Sequence, residues 1–162
     1  MLKEKIKADI IAAMKAKDVA KKITLGMLQA AVKNRELEKR GKLSKLGTAP
    51  DQLESASQLG DDEVVEVVSS EIKKRRDSIE QFTKGGRPEL AEGEKKEIEV
   101  LSVYMPEQMS EDEVKKLITD AVSSTGASSL KDMGKVMGVI SSKIKGKFDG
   151  SRASALVKEA LG

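Results

Sequence analysis

The chain reads as an all-α protein, with an N-terminal helical bundle or hairpin domain of about four helices followed by a small three-helix domain. Three observations lead there. Apolar residues recur at helical spacing along nearly the whole length. Aromatic residues make up 2% of the 162 residues, against 38% hydrophobic and 35% charged. A core without large rings is built from Leu, Ile, Val, Met and Ala, which suits helices packed on helices. Finally, three prolines and few strong turn pairs leave no train of strand-and-turn signals for a sandwich or barrel. A chain of this length buries about two-thirds of its unfolded surface, as one domain or two small ones.

In the first helix, Leu2, Ile6, Ile10, Ala13 and Met14 fall at helical spacing among lysines. Acidic Glu4 and Asp9 and a modest apolar face favour ordinary packing over a membrane-surface helix. Asp18 is a candidate cap for a second helix, with Ile23, Met27, Ala30, Ala31 and Leu37 as the expected inward stripe. Gly26 sits within it, and a mid-helix glycine costs about 1 kcal/mol relative to alanine. From Gly41 to Gly60, glycines, Pro50 and scattered polar residues predict a partly mobile loop, with a short helical turn near 51–57.

Asp61, Asp62 and Glu63 suit the N-terminus of a third helix, whose predicted core stripe is Val65, Val68, Ile72, Ile79 and Phe82. The run Lys73-Lys74-Arg75-Arg76 interrupts it, and Glu71, Asp77 and Glu80 lie close enough to pair across helix turns. As a basic cluster the run also suits phosphate contacts. Gly85-Gly86-Arg87-Pro88 ends this helix and begins a fourth, from Glu89 to about Tyr104. Its five glutamates surround Leu90, Ala91, Ile98 and Leu101. With Lys95 and Lys96 interspersed, they read as a solvated face rather than a carboxylate metal site.

Pro106 is the sharpest break in the chain, because proline lacks an amide proton and disfavours helix at Met105. Ser110 and Glu113 then form a capping box for a fifth helix. The corner from Val103 to Ser110 therefore divides residues 1–105 from residues 106–162. The fifth helix carries Val114, Leu117, Ile118, Ala121 and Val122, and ends at Ser123-Ser124-Thr125-Gly126. Ser128 or Ser129 is the expected cap of a sixth, with Met133, Val136, Met137, Ile140 and Ile144 inward. Gly134 and Gly138 form a small-xxx-small pair that allows the close approach of a neighbouring helix. Asp149 caps a last helix carrying Ala153, Leu156, Val157 and Leu161.

Without cysteine or histidine, the chain has no disulfide, no thiolate nucleophile, no imidazole base and no imidazole metal ligand. No catalytic set, cofactor site or metal site emerges. The N-terminus is charged at once, with no signal-peptide h-region and no apolar run long enough to span a membrane, so a cytoplasmic protein is expected. Net charge is +3 but uneven. Residues 1–46 carry 13 basic and 5 acidic groups, residues 47–130 carry 10 and 19, and residues 131–162 carry 7 and 3. Such basic ends suit a polyanion, or the acidic middle of the same chain.

The strongest chemical signal is Lys143-Ile144-Lys145-Gly146-Lys147-Phe148-Asp149-Gly150-Ser151-Arg152, four positive charges around a helix end, a turn and a helix start. Amides of the helix that follows would add to these lysines in holding a phosphate.

Tyr104-Met105-Pro106-Glu107-Gln108-Met109-Ser110 resembles the Tyr-Leu-Pro-x-Gln-Leu-Ser corner of the YqeY-like family, with methionine at both leucine positions. Asp132-Met133-Gly134-Lys135-Val136-Met137, Lys73 to Phe82, Leu2 to Ile6 and Ala13 to Asp18 match the family in order. Gly26 departs from it, standing where arginine is usual. The family is similar in its C-terminal part to the tail domain of the B subunit of the glutamyl/aspartyl-tRNA amidotransferase. That resemblance implies a tRNA-contact role for Lys131, Lys135, Lys143, Lys145, Lys147 and Arg152, with tRNA as partner. It also implies a label as a glutamine-dependent carbon–nitrogen ligase, for which these residues offer no catalytic set. The preferred expectation is a non-catalytic tRNA-binding or amidotransferase accessory module. The alternative is a helical protein-interaction or structural protein with a protein partner and no nucleic-acid role.

Overall fold

The structure, a computed structural model describing residues 1–162, is entirely helical and has two compact units, Met1–Met105 and Pro106–Gly162.

In the first unit, α1 (Leu2–Lys15) turns through Lys17, at φ 56°, into α2 (Val19–Lys45). The Asp18 carboxylate caps α2 by accepting from the Lys21 amide at 3.0 Å. A four-residue α3 (Leu53–Ala56) precedes α4 (Asp61–Lys84) and α5 (Pro88–Ser102). Gly86, at φ 69°, and Pro88 at the first turn of α5 make the α4–α5 corner. The core joins Ile6 of α1, Leu25, Leu28 and Val32 of α2, Val64, Val67, Val68 and Ile72 of α4, and Leu101 and Tyr104 after them.

The loop expected from Gly41 begins later, because α2 continues to Lys45. The helix stops just before Gly47, which takes φ 87°, a left-handed conformation that glycine adopts readily, while Gly41 stays helical. Arg40 and Lys39, just before Gly41, pair with Glu54 and Glu63, each at 2.9 Å. The short turn expected near 51–57 is α3.

The inward stripe of α2 is also different. Leu25, Leu28 and Val32 face the core with Thr24 and Glu36, while Ile23, Met27 and Leu37 are 54%, 51% and 52% exposed. Both stripes have helical period, so periodicity alone could not choose between them. Met14 and Leu90 are exposed as well, and α4 buries Val64 and Val67 while Val65, Ile79 and Phe82 are half-buried.

Arg75 is buried within the basic run. It donates to Glu71 of its own helix at 3.0 Å and to Glu97 of α5 at 2.9 Å, so this guanidinium locks the α4–α5 pair. Lys74 completes the cluster at 2.6 Å from Glu71. Burial pushes the Glu71 carboxyl up, and the hydrogen bonds from Lys74 and Arg75 outweigh it, leaving a lowered pKa.

The second unit comprises α6 (Glu111–Thr125), a single 3-10 turn (Leu130–Asp132), α7 (Met133–Ile144) and α8 (Gly150–Leu161). The capping box is present: the Glu113 amide donates to the Ser110 hydroxyl at 3.3 Å, and the Ser110 amide donates to the Glu113 carboxylate at 2.7 Å. Gly126, at φ 65°, ends α6. Val114, Ile118 and Ala121, Val136, Ile140 and Ile144, and Ala153, Leu156 and Val157 form the core from three helix faces.

Neither Ser128 nor Ser129 caps α7 through its hydroxyl. The Asp132 carboxylate instead accepts from the Ser128 amide at 3.1 Å and closes the turn before the helix. Gly134 and Gly138 do not meet a neighbouring helix either, since a Cβ built at each finds nothing within 4 Å. They lie on the face of α7 opposite Val136, Ile140 and Ile144, which turns them to solvent.

Candidate nucleic-acid interface

All six basic residues singled out from the sequence are exposed. Lys131 lies in the 3-10 turn and Lys135 in the first turn of α7. Lys143 lies in the last turn of that helix, and Lys145 and Lys147 in the bend that follows. The 12 residues of α7 span about 18 Å. The structure therefore gathers the lysines into two groups, one at each end of a short helix. The face between them carries the small, exposed Gly138 and Ser142.

The bend from Lys145 to Asp149 is built tightly. The Lys147 and Phe148 amides both donate to the Ile144 carbonyl, at 2.9 and 3.0 Å, and Gly146 takes φ 71°. Ile144 is buried and Phe148 packs against the same core, which roots the bend while its lysines stay in water. Residues of the corner brace it from outside. The Met109 amide donates to the Lys147 carbonyl at 2.8 Å. The Gln108 amide nitrogen donates to the Gly146 carbonyl at 2.9 Å and to the Pro106 carbonyl at 2.8 Å. Gln108 is a positioning residue that reasoning from the sequence missed. Its place in the corner motif was the only signal, because its partner Gly146 lies 38 residues away.

The six cations differ in what else they hold. Lys131, Lys143 and Lys147 form no ion pair. Lys135 lies 2.8 Å from Asp132, whose carboxyl is held below the usual range by that hydrogen bond and by the Ser128 amide. Arg152 is committed to Glu111 of α6 by two hydrogen bonds, at 2.8 and 3.1 Å, and lies 3.5 Å from Glu159. The Arg152 and Lys115 hydrogen bonds hold the Glu111 carboxyl down at about 2. Arg152 thus clasps α6 to α8 rather than joining the lysine bend. The first turn of α8 is also occupied: the Asp149 carboxylate accepts from the Arg152 amide at 2.7 Å. A phosphate there would face that carboxylate, so the expected help from α8 amides is not offered.

An all-helical chain with this corner and this basic helix defines a class of small, two-unit helical proteins. Residues 3–161 match the family model described as Yqey-like protein, and the chain belongs to that family. Among curated proteins it is similar to fungal proteins named Altered inheritance of mitochondria protein 41, mitochondrial. With the one from Lachancea thermotolerans it shares 31% identity over 133 residues, covering 78% of this chain and 63% of that protein. For Eremothecium gossypii the values are 32% over 100 residues, 62% of this chain and 46% of that protein. For Saccharomyces cerevisiae they are 27% over 140 residues, 83% and 68%. The chain thus spans about half to two-thirds of the length of these relatives.

The expectation of a cytoplasmic protein does not stand, because these relatives are named as mitochondrial. That expectation rested on the lack of an apolar h-region and of a membrane span. Neither bears on mitochondrial delivery, which uses basic amphipathic segments. No helix of the structure is long and apolar enough to cross a membrane.

Proposed function

We propose that the second unit binds the phosphate backbone of RNA, tRNA in particular, through Lys131 and Lys135 at one end of α7 and Lys143, Lys145 and Lys147 at the other. The observation that carries this reading is the bend at 145–149. It is rooted in the core and braced by Gln108 and Met109, yet it holds its lysines exposed. Ordered cations lose less entropy on meeting phosphates than cations on a mobile loop. Arg152 enters as the exposed residue that keeps α6 and α8 together. The choice of tRNA rests on the similarity to the amidotransferase tail domain, and the fungal relatives' names favour a mitochondrial setting. The module acts without catalysis of its own.

The test is binding of bulk tRNA at physiological salt with duplex DNA as competitor, for the natural chain and for Lys143→Glu/Lys145→Glu/Lys147→Glu. Expected are competitor-resistant binding, its loss in the variant with helicity intact, and a salt slope smaller by roughly 0.7 per lysine removed. Unchanged binding in the variant sinks the site, equal displacement by DNA sinks the preference for tRNA, and steady ammonia release from glutamine by pure protein sinks the non-catalytic reading.

A further inference from the structure

The face of α2 turned away from the core is not polar. Ala20, Ile23, Met27, Ala30, Asn34 and Leu37 are all exposed and follow one another at alternating intervals of three and four residues along one line. Written as heptads, Ala20, Met27 and Asn34 occupy a positions and Ile23, Ala30 and Leu37 occupy d positions. A helix apolar on both sides is expected to be covered on both sides. Here one side is covered by α1, α4 and α5 while Ile23, Met27 and Leu37 stand more than half exposed.

We propose that this face is the seam of a parallel, two-fold homodimer in which α2 packs against α2 of a second copy. Two features choose that occupant and that orientation. Lys33 falls at a g position and Glu38 at the e position five residues on, the offset at which opposite charges meet across a parallel pair. Both are exposed, Lys33 has no ion-pair partner, and Glu38 holds only an exposed contact with Arg35 at 3.1 Å. Asn34 is the one polar residue of the seam. In a parallel pair it meets its own copy and the two amides bond to each other. In an antiparallel pair centred on the stripe it would lie against Ile23 unsatisfied, and Lys33 and Glu38 would not meet. The inference is independent of RNA binding, since it uses residues of the first unit alone.

The experiment is sedimentation equilibrium of the full chain across a concentration series, for the natural sequence, Lys33→Glu, Glu38→Lys, their equimolar mixture and Ile23→Asp. Circular dichroism verifies that these exposed substitutions leave the helices intact. Expected is a concentration-dependent dimer whose dissociation constant rises on the order of tenfold or more in each single variant. The mixture should regain tight association, because the two acidic positions of one variant then face the two basic positions of the other. A natural chain that stays monomeric, a dimer indifferent to Ile23→Asp, a higher oligomer, or a mixture that associates no better than its components would each overturn the proposal.

Discussion

The phenolic hydroxyl of Tyr104 donates to the Asp9 carboxylate at 2.6 Å, joining the first helix to the residue that leads out of α5. The Lys5 ammonium lies 3.0 Å from the same carboxylate oxygen and 4.4 Å from the centre of the Tyr104 ring. Burial and the bond to Asp9 push the Tyr104 phenol well above its ordinary pKa, so it stays a donor at any working pH. The corner motif thus has two halves with separate duties. Tyr104 and Met105 pack into the first unit, while Gln108 and Met109 brace the lysine bend of the second.

Tyr104→Phe should cost about 1.5–3 kcal/mol in denaturant unfolding, the range for a hydrogen bond to a charged acceptor. The Tyr104 and Lys5 hydrogen bonds lower the Asp9 pKa in the folded state. The contribution of Asp9 is therefore present above its unfolded pKa of about 3.9 and is lost as pH falls through the folded value. The stability gap between the natural chain and Tyr104→Phe should narrow below about pH 4.

Arg75→Ala should be among the most damaging single changes, about 3–5 kcal/mol, because it leaves the buried Glu71 carboxylate without its guanidinium. Replacing both partners with apolar residues, as in Glu71→Leu/Arg75→Met, should recover most of that loss. Thermal unfolding of the two variants side by side decides between a clasp that stabilises α4 on α5 and one that only requires its own completion.

Gly26→Ala should stabilise the chain by up to about 1 kcal/mol. Gly26 is helical, and a Cβ there meets nothing within 4 Å, so the unfolded chain loses freedom and the folded one gains no strain. A lower melting temperature in this variant would contradict the open space beside α2.

Arg152→Gln should return the Glu111 carboxyl from about 2 toward the ordinary glutamate range, read by NMR titration. The same variant should weaken tRNA binding less than Lys147→Gln does, because Arg152 is already engaged by Glu111. The reverse order would make Arg152 a direct contact.

Much of this molecule is local chemistry, and local chemistry is legible. The Asp18 cap, the Ser110–Glu113 box, the Gly85–Pro88 corner and the Gly126 stop each involve residues within a few positions of one another, and each is present. The lysines of α7 and its bend were visible as charge. What held them in place was not, because Gln108 and the Gly146 carbonyl are brought together only by the fold.

Periodicity, capping and charge act over one or two turns, so the linear chain alone dictated the all-helical class, most helix ends and the residues capable of meeting a polyanion. Which face of α2 is buried was settled by packing between distant helices. Leu25, Leu28 and Val32 are complementary to α1, α4 and α5, whereas Ile23, Met27 and Leu37 are equally apolar and equally periodic yet lie outside that core. Packing likewise turned Arg75 inward, because a carboxylate that makes its burial tolerable stands 22 residues away on α5.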